Sequence, residues 1–205
     1  NDWEEAVDVS IFYGRTLELK TLEKWIVHDR CRLVSLLGMG GIGKSSLAAK
    51  LREKVQSEFD YVAWKSLRNA PSVQELIPGL IRFLSSQYED LPGTLSGQIS
   101  RLIECLNRNR CLVVFDNVEA VLQEGQQVGL YRHGYEDYSE LFRRLGESAH
   151  RSCLILTSRE KPREIGLLEG TVRPVRSMQM SGLTKKDGQR ILTEEGASGS
   201  EAEQP

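Results

Sequence analysis

The stretch that decides the fold is Gly38-Met-Gly-Gly-Ile-Gly-Lys-Ser45, which matches the pattern G-x-x-x-x-G-K-[ST] at every fixed position. The apolar run LVSLL precedes it at residues 33–37, and an amphipathic stretch follows it at residues 45–56. The motif therefore lies between a predicted strand and a predicted helix. Glycines let successive backbone N–H groups point inward around a phosphate, and the start of the helix adds its positive dipole end. The sequence predicts a phosphate-binding loop.

The pattern also predicts roles for two side chains of this loop. The Lys44 ammonium is expected to reach the β- and γ-phosphates of a nucleoside triphosphate, and the Ser45 hydroxyl is expected to bind Mg²⁺. The residues predicted to surround the nucleotide phosphates are Gly38, Met39, Gly40, Gly41, Ile42, Gly43, Lys44, Ser45 and Ser46.

Two further candidate residues follow other predicted strands. The run CLVVF at residues 111–115 is apolar throughout and ends in Asp116. A carboxylate at the carboxyl end of a buried parallel strand faces the ligand crevice, so we expect Asp116 to hold Mg²⁺ together with Ser45. Another apolar run, CLIL, leads to Arg159. Arg159 is expected to reach the terminal phosphate across the crevice, with a solvated surface arginine as the alternative.

Short apolar runs alternate with amphipathic stretches along the chain. The runs predict strands at residues 33–37, 61–64, 111–115, 153–156 and 171–175. The amphipathic stretches predict helices at 45–56, 98–107 and 136–149, and loops are predicted at 91–97 and 124–135. A further helix follows the capping box Ser72-Val-Gln-Glu75, and Pro78 should kink it or mark a later start. Alternating strands and helices predict an α/β fold with a parallel sheet covered by helices on both faces.

Composition narrows the functional classes. The chain has 205 residues, 27 Lys and Arg against 29 Asp and Glu, and a net charge of −2. This balance gives no electrostatic case for nucleic acid or a membrane as a partner, and no apolar run is long enough to span a bilayer. The four cysteines form no CxxC pair, which argues against zinc and favours a reduced, cytoplasmic protein. The first residue is not Met and the last ten are small or polar, so we expect a piece of a longer chain.

Taken together, these motifs resemble the NB-ARC branch of the STAND class of P-loop ATPases. Their particular residues are most similar to those of bacterial multidomain members with propeller repeats. The segment Phe12-Tyr-Gly-Arg15 is similar to the turn by which the family enters the domain. The resemblance implies a three-layer P-loop NTPase sandwich with a five-stranded parallel sheet of order 5-1-4-3-2. It also implies that ATP or ADP binds with Mg²⁺, and that Phe12, Tyr13 and Arg15 contact the base and ribose.

The resemblance further implies an organisation and a function for the chain. Residues 1–10 would be a linker, residues 11–180 the nucleotide-binding P-loop domain, and residues 181–205 the start of a small helical domain and a mobile tail. The function implied is a signalling switch, in which Mg-ATP favours homo-oligomerisation and slow hydrolysis to ADP resets the module. Its partners would be an adenine nucleotide and the other domains of the same longer chain.

One departure from the family pattern bears on catalysis. Most members carry two acids at the end of the third strand, whereas Asn117 follows Asp116 here. An amide cannot take a proton from water, although Asn117 could orient a water molecule. Glu119 is the nearest carboxylate that could act as the base. The residues predicted to act in catalysis, if weak hydrolysis occurs, are Lys44, Asp116, Asn117, Glu119 and Arg159.

Other nucleotide-dependent functions fit the sequence less well than the switch does. A conventional P-loop ATPase or small-molecule kinase with steady turnover is the alternative, although no arginine-dense lid appears between residues 116 and 153. A GTPase would need an N/T-K-x-D motif after a strand, which this sequence lacks. A nucleic-acid motor would need a basic footprint that a net charge of −2 does not favour.

Overall fold

The computed structural model describes residue 9 and residues 12–85, 91–125 and 129–182. Within these residues the strands are β1 (Leu33–Leu37), β2 (Tyr61–Ser66), β3 (Cys111–Asp116), β4 (Cys153–Ser158) and β5 (Val175–Gln179). The α-helices are α1 (Thr16–Glu23), α2 (Lys44–Val55), α3 (Val73–Ser85), α4 (Leu95–Arg108), α5 (Asp137–Glu147) and α6 (Arg163–Leu168). None of the helices in this described part is long and apolar enough to cross a membrane.

All five strands lie in one parallel sheet of order β2-β3-β4-β1-β5. Read from the other edge this is 5-1-4-3-2, so the predicted fold class and strand order are confirmed. Every residue of β1, β3 and β4 is buried, because helices cover both faces of these inner strands. Since β4 separates β1 from β3, the segments that follow these two strands lie on either side of one crevice.

The two faces of the sheet carry separate apolar cores. One core packs α1 and α2 against alternate sheet residues such as Val34, Leu36 and Trp64. The other packs α3, α4 and α5 against residues of opposite parity, such as Leu33, Val113 and Phe115. The domain is therefore a three-layer sandwich, as predicted, and α2 is held rigidly beneath the phosphate-binding loop.

Most predicted elements end within two residues of their observed bounds, and two of them, the fifth strand and the fourth helix, begin three or more residues from the predicted position. The fifth strand is β5 and begins at Val175 rather than residue 171, because residues 170–173 form a turn closed by an Arg173 N–H to Gly170 carbonyl bond of 3.2 Å. As an edge strand, β5 is only partly buried and shows no continuous apolar run. Helix α4 begins at Leu95, inside the predicted loop 91–97, because the Thr94 hydroxyl caps it by accepting the Gly97 N–H at 3.2 Å.

The predicted capping box at the start of α3 is present. The Ser72 N–H donates to Glu75 Oε2 at 2.7 Å, and the Glu75 N–H donates to Ser72 Oγ at 3.3 Å. The Ser72 N–H, and the Ser72 hydroxyl that donates to the same Oε2 at 3.0 Å, hold the pKa of the Glu75 carboxyl below its ordinary value. The helix begins at Val73, so Pro78 lies inside it and the alternative of a later start is not observed.

Replacing Ser72 with alanine is expected to lower the free energy of unfolding by about 1 kcal/mol, because the Glu75 N–H loses its side-chain acceptor and Glu75 Oε2 loses the Ser72 hydroxyl as a donor. The measurement is urea denaturation followed by circular dichroism. Ser57→Ala, at an exposed position in the short 3₁₀ turn Gln56–Glu58, is the control and should change stability by less than about 0.5 kcal/mol. Equal effects of the two substitutions would contradict a capping role.

Candidate functional site

The loop between β1 and α2 crosses the top of the sheet and is open to solvent at its tip, where Met39 is 79% exposed. Its base is tightly packed: the Gly38 N–H donates to the Ser158 carbonyl at 3.2 Å. A Cβ built on Gly38 would lie 3.1 Å from the Met180 carbonyl oxygen, and φ there is +153°. A side chain at residue 38 would displace the loop from the end of β5, so glycine is required there.

Lys44 begins α2 and folds back over the loop. Its Nζ donates to the carbonyl oxygens of Gly38 at 2.7 Å and Met39 at 3.0 Å, and the residue is only 7% exposed. Burial lowers the pKa of the Lys44 ammonium from its ordinary value, while the charges of Glu119 and Asp116 act in the opposite direction. The helix has no side-chain cap at its N-terminus, where Gly43 occupies the capping position. A partly desolvated cation and uncapped N–H groups therefore meet at one point, which suits a bound polyanion.

Asp116 brings together hydroxyl groups from two other segments. The Ser45 hydroxyl donates to Asp116 Oδ1 at 2.6 Å, and the Thr157 hydroxyl of β4 donates to the same oxygen. Asp116 is 4% exposed, and the two bonds fix the orientation of its carboxylate. Carboxylate and hydroxyl oxygens are hard ligands of the kind Mg²⁺ prefers, so the pair Ser45 and Asp116 fits the predicted metal.

Thr157 belongs to the site although the segment Thr157-Ser158-Arg159, which resembles the sensor motif of the family, predicted a role for Arg159 alone. It is fully buried, and besides donating to Asp116 it accepts the Asn117 N–H at 3.0 Å. It thereby ties the ends of β3 and β4 together. The available signal was a hydroxyl at the carboxyl end of an otherwise apolar strand, but strand adjacency was needed to connect it with Asp116.

Asn117 and Glu119 follow β3, and Arg159 follows β4, at the same end of the sheet as the phosphate loop. Asn117 has a left-handed backbone, with φ of 64°, which turns the chain into the short 3₁₀ helix Val118–Val121. This turn places Glu119 Oε1 3.3 Å from Arg159 Nε. Among the described residues, the buried atoms Asn117 Oδ1 and Glu119 Oε2 have no hydrogen-bond partner. The structure thus pairs the predicted base with the predicted phosphate-sensing arginine.

The segment at residues 12–15 reaches the loop through Arg15. The Arg15 guanidinium is buried and donates from Nη2 to the Ile42 carbonyl at 3.1 Å and from Nη1 to Glu18 at 2.9 Å. Arg15 directly precedes α1 and has a left-handed backbone, with φ of 58°. Phe12 and Tyr13 are half-buried, and Phe12 packs against the core that contains α2. The predicted contact of Phe12 and Tyr13 with a base stays a prediction.

The predicted domain boundaries at 10–11 and 180–181 also stay predictions. Residues 1–8, 10–11 and 183–205 lie outside the described residues.

Comparison with known sequences gives consistent matches. A family profile described as the NB-ARC domain matches residues 15–200. An uncharacterized WD repeat-containing protein of Nostoc sp. is 47% identical over 204 residues, which cover 95% of this chain and 16% of that protein. A putative disease resistance protein of Arabidopsis thaliana is 29% identical over 101 residues, 48% of this chain and 11% of that protein. The chain spans only a small part of the length of either relative.

Solved structures match the fold. Cdc6p from Pyrobaculum aerophilum gives a TM-score of 0.64 at 18% identity, over 90% of this chain and 50% of that chain. The Walker-type ATPase PABY2304 of Pyrococcus abyssi gives 0.58 at 18% identity, over 95% of this chain and 62% of that chain. At such low identity the similarity concerns the α/β fold alone.

Proposed function

Because the chain belongs to the NB-ARC family, we propose that its P-loop domain binds ATP or ADP with Mg²⁺ and acts as a nucleotide-dependent switch. The observation that carries the proposal is the arrangement of Lys44 and the Ser45–Asp116 pair around the uncapped start of α2. A buried ammonium beside a hydroxyl–carboxylate pair has the charge and the oxygen ligands that a magnesium–phosphate complex requires.

Each segment of the site has a distinct part in this proposal. The backbone N–H groups of residues 38–43 and of the first turn of α2 bind the phosphates. The Lys44 ammonium gives up its hydrogen bonds to the loop carbonyl oxygens and donates to phosphate oxygens instead. Ser45 and Asp116 hold Mg²⁺, which neutralises phosphate charge when bound. Thr157 keeps the Asp116 carboxylate turned toward Ser45. Arg159 senses the terminal phosphate, and Phe12, Tyr13 and Arg15 contact the base and ribose.

The switch is favoured over steady turnover by the residue that follows Asp116. Asn117 cannot deprotonate water, so hydrolysis is expected to be slow and to reset the module. In the proposed cycle Mg-ATP favours homo-oligomerisation, in the cytoplasm, within a longer chain whose other domains the module controls. The WD repeat-containing relative, of which this chain covers 16%, supports a multidomain setting.

A steady-state ATPase assay separates the switch from a conventional ATPase. A conventional ATPase would turn over near 1 s⁻¹ or faster, within the usual range of about 1–10³ s⁻¹.

The nucleotide base supplies a second test. We expect isothermal titration calorimetry to give a lower Kd for ATP than for GTP, because the proposed base contacts come from a segment, residues 12–15, that is bonded directly to the phosphate loop through Arg15. Specific recognition of one base edge is worth about 1–3 kcal/mol, so a preference of about 10-fold or more is expected. Arg15→Lys, which keeps the charge but loses the forked geometry, should reduce that preference. Equal or tighter GTP binding would contradict the assignment of adenine.

A further inference from the structure

Glu119 carries a negative charge near Lys44 and Arg159, the two cations proposed to bind phosphate. Its side chain is 19% exposed, and Oε1 lies 3.3 Å from Arg159 Nε, while the buried Oε2 has no hydrogen-bond partner among the described residues. Its negative charge also favours the charged form of the Lys44 ammonium and so raises the pKa of that group, against the lowering that burial causes. One carboxylate therefore pairs with Arg159 and acts electrostatically on Lys44 as well.

Arg159 is in turn positioned against the phosphate loop. A Cβ built on Gly40 would lie 3.1 Å from Arg159 Nη2 and 3.2 Å from Cζ, so the guanidinium passes directly over the backbone of the loop tip. The same guanidinium can thus meet either Glu119 on one side or an anion held by the loop on the other. Its position is set by whichever partner is stronger.

The existing ion pair is weak enough to be exchanged. It consists of a single 3.3 Å contact through Nε, not a two-bond fork, and the Arg159 side chain is 64% exposed. A single-contact pair whose arginine lies mostly in solvent contributes little free energy. A cavity of about 290 Å³, lined by Glu119, Arg159 and Glu160 among others, gives the arginine room to leave the carboxylate.

We infer that Glu119 is a positioning residue that competes with the terminal phosphate of the bound nucleotide for Arg159, and so sets the ratio of ATP to ADP affinity. This inference rests on the proposed function of the site. With ADP, or with no nucleotide, Glu119 holds Arg159. With ATP the γ-phosphate takes Arg159, and Glu119 loses its partner. The carboxylate therefore weakens ATP binding more than ADP binding.

The test is a comparison of ATP and ADP affinities by isothermal titration calorimetry in the presence of Mg²⁺. Glu119→Gln keeps the shape of the side chain and removes its charge, and it is expected to raise the ratio of ATP to ADP affinity about 5-fold, the upper limit for the loss of a pair of this kind. Glu124→Gln, which removes a charge from an exposed residue lining the same cavity, is the matched control and should leave the ratio within about 2-fold of wild type.

A second pair of variants isolates the role of Arg159. In an Arg159→Ala background, Glu119→Gln should change the ratio by less than about 2-fold, because the group for which the carboxylate competes is gone. The inference is overturned if Glu119→Gln leaves the ratio unchanged and only slows ATP turnover, which would mark Glu119 as the base. It is also overturned if the ratio shifts equally with and without Arg159. A wild-type protein that binds neither nucleotide would refute the proposed function itself.

Discussion

Replacing Lys44 with methionine is expected to weaken ATP and ADP binding by about 100-fold or more while leaving the protein folded. In the wild-type protein the Lys44 ammonium is buried where the phosphate loop meets α2. In the variant, a nucleotide bound there would bury its phosphate charge with no cation opposite it. Losing one member of a buried charge pair costs about 2–5 kcal/mol of binding free energy. Calorimetric titration with each nucleotide measures the loss.

The folding stability of the same variant should respond differently. Burial lowers the pKa of Lys44 below its ordinary 10.5, so in the nucleotide-free protein the charged form is disfavoured by the fold. This cost is present at neutral pH and is relieved as the pH rises through the folded pKa. Methionine fills a similar volume without a charge, so the unfolding free energy at neutral pH should fall by no more than about 1 kcal/mol. Lys50→Met, at a surface lysine of the same helix paired with Glu53, is the control. Wild-type affinity in Lys44→Met would contradict the assignment of the site.

Replacing Asp116 with asparagine is expected to remove most of the increase in ATP affinity that Mg²⁺ produces. Asparagine retains an oxygen that can accept from Ser45 and Thr157, so the local packing survives, but the negative charge that favours a divalent cation is lost. The measurement is the ratio of ATP affinities with Mg²⁺ and with EDTA. That ratio should fall by about 10-fold or more relative to wild type, because losing one contact to a charged group costs about 1.5–3 kcal/mol.

Asp60→Asn provides the matched control for this substitution. Asp60 lies at the opposite end of the sheet, where it accepts from the Arg110 N–H at 2.7 Å and pairs with Arg151 at 3.3 Å. Removing its charge should not alter the response to Mg²⁺. A response in Asp116→Asn that matches that of Asp60→Asn would show that the metal is held elsewhere.

The inner half of the fold is predictable from sequence because buried parallel strands are apolar along their whole length. The runs LVSLL, CLVVF and CLIL each identify an inner strand, and βαβ alternation sets their direction. The edge strand β5, with the sequence VRSMQ, has no such run, since one of its edges faces away from the sheet. Helix α6 and the 3₁₀ turn Val118–Val121 were also not predicted, because they are too short to show a period.

The candidate site divides in the same way. Lys44 and Ser45 follow from a local motif, and Asp116 follows from its place at the end of an apolar run. Thr157 needs the knowledge that β4 lies between β1 and β3, which is a property of the folded sheet. The pairing of Glu119 with Arg159 depends on the left-handed turn at Asn117, and side-chain identity alone does not predict that conformation.

The contact between Gly38 and Met180 gives the domain a short mechanical path out of its nucleotide site. Met180 follows β5 directly, its N–H donates to the Leu37 carbonyl at 2.7 Å, and its own carbonyl occupies the space above Gly38. The first residue of the phosphate loop and the point where the chain leaves the sheet therefore lie against each other. We expect a displacement of the loop backbone to shift Met180 directly, without passing through a helix or the core.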